Sequence, residues 1–479
     1  MSKAAQTQPR HHITLWNLVF MTTALFMTML NMPLMAQTGM KILFFNTAVV
    51  FCYILPIALI SAELATGWPK HGVYTWVQEA FGTPIGFMAI FLQWFQSIFA
   101  MVATVAYTTA TLAFVFDRPD DESPWLMFAG TIIIYWGATL ANFRGTRVAK
   151  RISSYCLLAG TIFPSLLMIT LGLLYVTGPA RPVIDVSITT ANVIPSLAET
   201  STLFLFLSCL FGFLGMEASA GHATEVQNVR RTYPIAILIA TSIGFSISLL
   251  GGLTIAMILP ANEISNTLGV LQTYTVLLAH YGVLDLLPIA AILIAIGAAG
   301  QVSTWIAGPV KSLAVAGRDG MLPRFLQSSN SHDMPVPLML VQATIATLIA
   351  TAFVLHPNTN EVFLYVASTA VLLYSLMYLL LYSTAIRLRY KYPNVPRAYK
   401  VPFGNWGIWV LGSIGFSISL IAFIIGLRPP NQPDLLASTY LSIIIPGVCL
   451  TLSVPLILWK IRRTSWKSGK QTKKPRPTP

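Results

Sequence analysis

The sequence predicts an all-α membrane protein of twelve transmembrane helices. Three observations carry that reading. Hydrophobic residues make up 55% of the 479 residues and charged residues only 9%, whereas soluble domains carry roughly a quarter charged residues. Mean hydropathy is +0.70, and so few charges leave most of the exterior to face lipid. The apolar residues form continuous runs of the ~20 residues that a helix needs to cross a hydrocarbon core of roughly 30 Å. The runs lack the alternation of a membrane barrel, and a lipid-exposed strand would leave backbone groups unpaired. A water-soluble globular protein is excluded.

Along the chain, residues 1–14 read as a polar tail. The first run, 15–37, is longer than a signal-peptide core and no small-residue cleavage site follows it, so it reads as a retained span. It carries Thr28, Asn31 and Pro33; the proline lacks an amide donor and frees a carbonyl one turn earlier, which predicts a break. Four spans follow at 42–65, 85–116, 124–142 and 152–177. The sixth, 201–222, places Gly212 and Gly215 before Glu217, and such glycines let backbone open where it lines a cavity. Tight helix packing or a plain kink accounts for these glycines and the proline equally well. The remaining runs are 234–259, 283–309, 335–355, 361–386, 405–427 and 438–460.

Broken helices at positions one and six would lead two inverted repeats of five spans, 15–177 and 201–386, with 405–460 appended and the binding site between the interrupted helices. The whole of 15–460 reads as one transporter domain, and 461–479 as a basic tail without apolar periodicity, expected to be disordered. Between Asn262 and His280, Ile264, Leu268 and Leu271 recur at helical spacing beside Asn266 and Gln272. A short amphipathic helix covering the outer mouth is predicted there.

Of the 29 Lys and Arg residues, 25 fall in the tails and the alternate loops of one side, which orients both termini to the cytoplasm. The opposite loops hold Lys41, Arg118, Arg181 and Arg428, with an acidic turn of Asp117, Asp120, Asp121 and Glu122. The net charge of +13 is dispersed between apolar runs rather than gathered in a patch, which argues against nucleic acid. The basic tail can bind anionic lipid at ~1 kcal/mol per residue; a plain topology anchor explains it too. Cys52, Cys156, Cys209 and Cys449 all lie in apolar runs, without metal-ligand spacing or a paired framework. No metal or cofactor is indicated. Nor do a nucleophile, a base and an orienting third group share one membrane depth, so no enzyme is indicated.

An ionisable group at mid-membrane costs ~2.5 to 3.5 kcal/mol on insertion scales, so the few that occur direct attention to function. Of 16 acids only Glu217 lies well inside a span, while Glu63 and Glu225 sit near the cytoplasmic ends of spans 2 and 6. Glu217 reads either as a functional acid or as a neutral one tying helices together. His222 and Glu225, three apart on one helix face, form either a proton-sensitive gate or a solvated helix end. In span 8, Gln301, Ser303 and Thr304 beside Trp305, Gly308 and Pro309 make a polar patch able to line a pathway. In span 10, Tyr374 and Tyr378 stand one turn apart, reaching one cavity or packing in the core. At the breaks, freed amides suit a carboxylate and freed carbonyls an ammonium group. An amino acid presents both.

The run Gly215, Met216, Glu217, Ala218 and Ser219, followed by Glu225 and the pair Tyr233 and Pro234, resembles the sixth-span signature of the amino acid, polyamine and organocation transporter superfamily. The runs Gly317 to Pro323 and Arg397 to Pro402 resemble it as well. Gly251 to Met257, Pro260, Asn262 to Ile264 and Gly269 to Thr273, with Trp305, Gly308 and Pro309, are similar to the bacterial glutamate/GABA antiporter branch. The resemblance implies exchange of an amino acid for a related amine or amino acid by alternating access, without ATP hydrolysis or a prosthetic group. The chain has no Walker motif. By position it implies a substrate site of Leu30, Asn31, Phe211, Gly215, Glu217, Gln301, Tyr374 and Tyr378. Where the branch usually has a tyrosine and an acid in span 1 this chain has Leu30 and Asn31, and where it has an acid in span 8 this chain has Gln301. Preferred substrates other than glutamate are therefore expected. The longer tail that plugs acid-resistance members is not matched, so plug-type gating is not expected.

The function expected is a bacterial inner-membrane amino acid antiporter. Two other readings stand beside it: a proton-coupled amino acid symporter in which Glu217 or Glu225 carries the proton, and a non-transporting sensor that uses the same pocket.

Overall fold

The computed structural model describes residues 13–115, 124–179, 181–196, 206, 209–210, 212–356, 358–428 and 437–467. Among these residues the regular elements are all helical, and the extended pairing is an isolated parallel bridge between Ile13 and Val226. Eleven described helices are long and apolar enough to cross a membrane: Leu15–Ala36, Gly39–Gly67, Thr83–Phe114, Pro124–Asn142, Arg151–Thr177, Val229–Ile258, Leu284–Met321, Val336–Leu355, Glu361–Lys391, Gly404–Gly426 and Ser438–Ile461. They are spans 1 to 5 and 7 to 12. Of the span predicted at 201–222, the described residues are 206, 209–210 and 212–222, and much of its first half falls outside them. The chain is a multi-pass membrane protein.

The predicted spans agree with the helices to within a few residues except in two places. Span 8 continues to Met321 instead of stopping at 309, because Pro309 sits inside a helix buried on every side at Gly308, Pro309 and Val310, where packing outweighs one lost amide bond. Span 10 likewise runs on to Lys391. A helix not predicted, Val73–Phe81, lies between spans 2 and 3, with Gly72 and Gly82 at its ends at φ 59° and 96°. Its buried Val73, Trp76, Val77 and Ala80 recur at helical spacing.

Both predicted breaks are present. Span 1 is helical over Leu15–Phe26, extended at Met27 and Thr28, and helical again from Met32–Ala36 after one tight turn at Met29–Asn31. Thr28 caps that turn by accepting from the Leu30 amide at 3.3 Å. Pro33 stands at the start of the second half rather than at the break, since a proline there removes an amide that would be unpaired in any case. In span 6, Cys209 and Leu210 are helical, residues 212–215 form turns, and a 3-10 helix follows over Met216–Glu225.

The predicted outer helix begins at Gly269, not at Asn262, and ends at His280. Its approach is held by Gln272, which accepts from the Ser265 amide at 3.0 Å and donates to the Glu263 carbonyl at 3.2 Å. A Cβ on Gly269 would stand 2.8 Å from Pro33 Cβ, so this helix lies against the second half of span 1. Gln37 at the end of that half donates to Asn266 Oδ1 at 2.8 Å.

The opposite end of the bundle carries the basic loops and both described chain ends, and is called the basic end below. There the Ile13 amide donates to the Glu225 carbonyl at 3.1 Å, and the Gln227 amide to Ile13 at 2.9 Å. Gln327, after span 8, donates to the Trp466 carbonyl at 2.8 Å. The tail expected to begin at 461 is therefore held in place through Lys467 by the loop between spans 8 and 9, and 468–479 lie outside the described residues.

Candidate functional site

The two breaks meet at mid-bundle against spans 3, 8 and 10. Gly215 ends the turn of span 6 at φ 111°, a conformation that favours glycine. It is also where Trp305 of span 8 comes closest: an added Cβ would stand 2.5 Å from the indole Cζ2. Two residues on, Glu217 is fully buried. Its carboxylate accepts from the Tyr374 hydroxyl, from the Tyr378 hydroxyl at 2.5 Å and from Gln93 Nε2 of span 3 at 3.0 Å. The Tyr378 hydroxyl also accepts from the Gly215 amide at 3.2 Å. Among the described residues no ion pair or hydrogen bond joins Glu217 to Lys, Arg or His.

The freed carbonyl of span 1 is not idle. Leu25 O accepts from Trp305 Nε1 at 2.7 Å and from Gln301 Nε2 at 3.4 Å. The expectation of open main-chain poles thus needs correcting, because both the Leu25 carbonyl and the Gly215 amide are held by side chains of spans 8 and 10. A buried backbone group left without a partner is costly, so side chains fill the place. The Gln301 Oε1 atom itself is buried without a partner among the described residues.

The structure brings Gly215, Glu217, Gln301, Tyr374 and Tyr378 into this one hydrogen-bonded cluster. Among the described residues Asn31 is not bonded to the cluster and lies instead against the turn before Gly215, since a Cβ on Gly212 would stand 3.5 Å from Asn31 Cβ. Leu30 is buried one residue earlier, just beyond the break. Phe211 lies outside the described residues. His222 and Glu225 sit apart, toward the basic end: His222 Nδ1 is 3.9 Å from Glu225 Oε1, and Lys311 Nζ of span 8 is 3.0 Å from the same oxygen. The solvated-end reading of this pair does not hold for His222, which is buried. Ser303 faces away from the cluster, for its hydroxyl and carbonyl accept from Asn142 of span 4 at 2.9 and 3.1 Å.

Sequence reasoning missed Gln93, Lys311 and a second buried cluster at the basic end. Gln93 was visible as a mid-span glutamine, a polar group that needs a partner in an apolar run. Lys311 was counted only toward topology. In the second cluster Glu63 of span 2 accepts from Arg389 Nη2 at 2.5 Å and from the Val401 amide at 2.7 Å, with Arg397 Nε at 3.4 Å.

Discontinuous helices around a midplane site, built into a bundle of this length, define a secondary transporter. The amino acid permease family matches residues 13–449, and the chain belongs to that family. It is 31% identical over 460 residues to a glutamate/gamma-aminobutyrate antiporter of Lactococcus lactis subsp. lactis, covering 94% of this chain and 90% of that one. It is 30% identical over 450 residues to an uncharacterized transporter of Legionella pneumophila subsp. pneumophila, covering 94% and 96%. A probable agmatine/putrescine antiporter of Lactococcus lactis subsp. lactis is 22% identical over 425 residues, covering 88% and 89%.

Proposed function

We propose that this transporter exchanges an amino acid for a related amino acid or amine by alternating access, with the basic end facing the cytoplasm of a bacterial inner membrane. One observation carries the proposal: Glu217 is a buried acid at the meeting point of the two breaks, surrounded by neutral donors. A substrate ammonium brings three donors and a positive charge, and so replaces Tyr374 and Tyr378 at the carboxylate while the Leu25 carbonyl takes its third proton. Gly215 and the turn before it offer amides to the substrate carboxylate. Leu30, Asn31, Phe211 and Gln301 complete the substrate site in this reading, and His222 with Glu225 serves the gate at the basic end.

The exchanged compounds differ from glutamate. A second substrate carboxylate would lie beside Glu217 with no cation bonded to that acid, and like charges at close range are unfavourable in a low dielectric. The antiporter relatives are named for glutamate and gamma-aminobutyrate, and for agmatine and putrescine; amines and neutral amino acids suit a lone acid best.

The test is counterflow in proteoliposomes. Uptake of a labelled amino acid should require unlabelled substrate inside, and Glu217→Gln should abolish exchange while the protein still inserts. Uptake that proceeds into empty vesicles and follows an imposed pH gradient would establish symport instead.

A further inference from the structure

Span 10 presents Tyr374, Tyr378, Tyr382 and Arg389 at spacings of four, four and seven residues, which stacks them on one helix face. The first two bind Glu217. Tyr382 comes next toward the basic end, its ring stacked 6.1 Å from that of Tyr378. It is fully buried, and its hydroxyl has no hydrogen-bond partner among the described residues. Tyr53, in the wide helical turn Val50–Ile54 of span 2, meets Tyr378 edge-on at 5.5 Å and carries a second buried hydroxyl without a closed hydrogen bond. Below them, Arg389 holds Glu63 through Nη2 and leaves Nε buried without a partner. Side chains on a helix lean toward its amino terminus, so the arm of Arg389 extends back toward Tyr382.

Buried polar atoms without partners carry a free-energy cost that phenylalanine at 53 and 382 would avoid. Three of them sit on residues that follow one another, by ring contact and by helix register, from Glu217 toward the basic end, and water satisfies such groups where several polar partners converge. We propose that these hydroxyls, bridged by water, conduct protons between the basic end and Glu217 along spans 2 and 10, a route separate from that of the substrate. A proton from water at the basic end binds the Tyr382 hydroxyl oxygen as that hydroxyl passes its own proton onward. Tyr378 gives its proton to Glu217 Oε2 and takes the arriving one. Each hydroxyl ends neutral, Glu217 gains one proton, and the bundle centre loses one negative charge.

The groups facing Glu217 are Tyr374 and Tyr378 from span 10, Gln93 from span 3 and, through Tyr378, Tyr53 from span 2. Tyr233 of span 7 is engaged by Ser219 at 3.3 Å. None of these carries a charge to hold the proton back. At the far end Glu63 faces Arg389, Arg397 and the Val401 amide. The inference takes from the proposed function only that Glu217 is a working acid, not what the substrate is.

The full-length protein in lipid is subjected to a pH jump while infrared difference spectroscopy follows the carbonyl stretch of protonated carboxyl groups. The band absent from Glu217→Gln belongs to Glu217. In Tyr382→Phe its rise should slow about tenfold with unchanged final amplitude, and in the double variant with Tyr53→Phe it should slow further. Tyr382→Phe removes no closed hydrogen bond, and that single variant decides the matter if the double variant fails to fold. Rates within twofold of the unaltered protein in the variants that fold, or a Glu217 band that never titrates, would overturn the proposal. Normal exchange by Glu217→Gln would remove the substrate assignment and leave the infrared result standing.

Discussion

Replacing Gly215 by alanine perturbs the join between the two broken helices at one atom. Two costs follow from the structure. The backbone at φ 111° and ψ 2° lies in the left-handed region, which costs an L-residue roughly 1–2 kcal/mol. The new Cβ would stand 2.5 Å from Trp305 Cζ2 and 3.1 Å from Cη2, and relieving such overpacking costs typically 1–3 kcal/mol. Moving the indole also strains its 2.7 Å bond to Leu25 O. The sum is roughly 2–5 kcal/mol, borne by this closed arrangement. Melting in detergent, followed by tryptophan fluorescence, and exchange in proteoliposomes measure it. Gly215→Ala should melt earlier and exchange at least tenfold more slowly, about 1.4 kcal/mol per decade. Adding Trp305→Phe, whose ring ends short of Cζ2, should return the packing share but not the backbone share. A Gly215→Ala protein with unchanged melting and exchange would refute the close approach of spans 6 and 8.

Three further outcomes are expected. Lys311→Met removes the partner of Glu225 at 3.0 Å, a charged hydrogen bond worth about 1.5–3 kcal/mol; a cysteine placed at the buried Ala223 should then react with maleimide at least tenfold faster from the basic side, and an unchanged rate would free the pair from any gating role. Glu63→Gln leaves Arg389 and Arg397 buried without their anion, which costs about 3–5 kcal/mol, so the melting temperature should fall sharply while the overlying Thr66 and Tyr399 contact loosens. Burial, then Arg318, holds the His71 imidazole below its ordinary range, so the folded state favours neutral His71. The stability it contributes is present above about pH 6.5 and lost progressively as pH falls from there through the lowered folded-state value, the range in which the unfolded chain binds the extra proton. His71→Asn should therefore flatten the drop in melting temperature between pH 7.5 and 5.5.

The spans were legible because each must carry its own apolar run regardless of its neighbours, and the breaks because glycine and an early proline are visible locally. Even so Pro33 misled by several residues: its ring suits the start of a helix as well as a kink, and only Met27 and Thr28 in extended backbone show which. The site was legible one residue at a time. Glu217 stood out as an acid in an apolar run, and Tyr374 and Tyr378 as a pair on one face, but 157 and 161 positions separate them from it. Their meeting depends on how spans 6 and 10 pack, which periodicity does not encode. Glu63, Arg389 and Arg397 failed for a different reason: charges at span ends serve topology, and the same counts describe a solvated loop or a buried cluster.

The hydrogen bonds that close this site bear on coupling. Leu25 O, the Gly215 amide and Glu217 are all bonded by side chains of spans 3, 8 and 10, so unloaded reorientation would part several buried bonds at about 1–3 kcal/mol each with nothing to replace them. A bound ammonium and carboxylate supply replacements, and only a ligand that favours the moving state in this way speeds the change. Exchange without leak follows from the same geometry. Weakening the internal cap should then create a leak. In Trp305→Phe the Leu25 carbonyl keeps only the 3.4 Å contact with Gln301, so the closed arrangement loses about 1 kcal/mol and its opening without substrate should quicken roughly fivefold. Uptake into vesicles without internal substrate, near zero for the unaltered protein, should become measurable, while counterflow persists. Strictly exchange-dependent uptake by this variant, at the unaltered rate, would mean that the internal cap does not set the coupling.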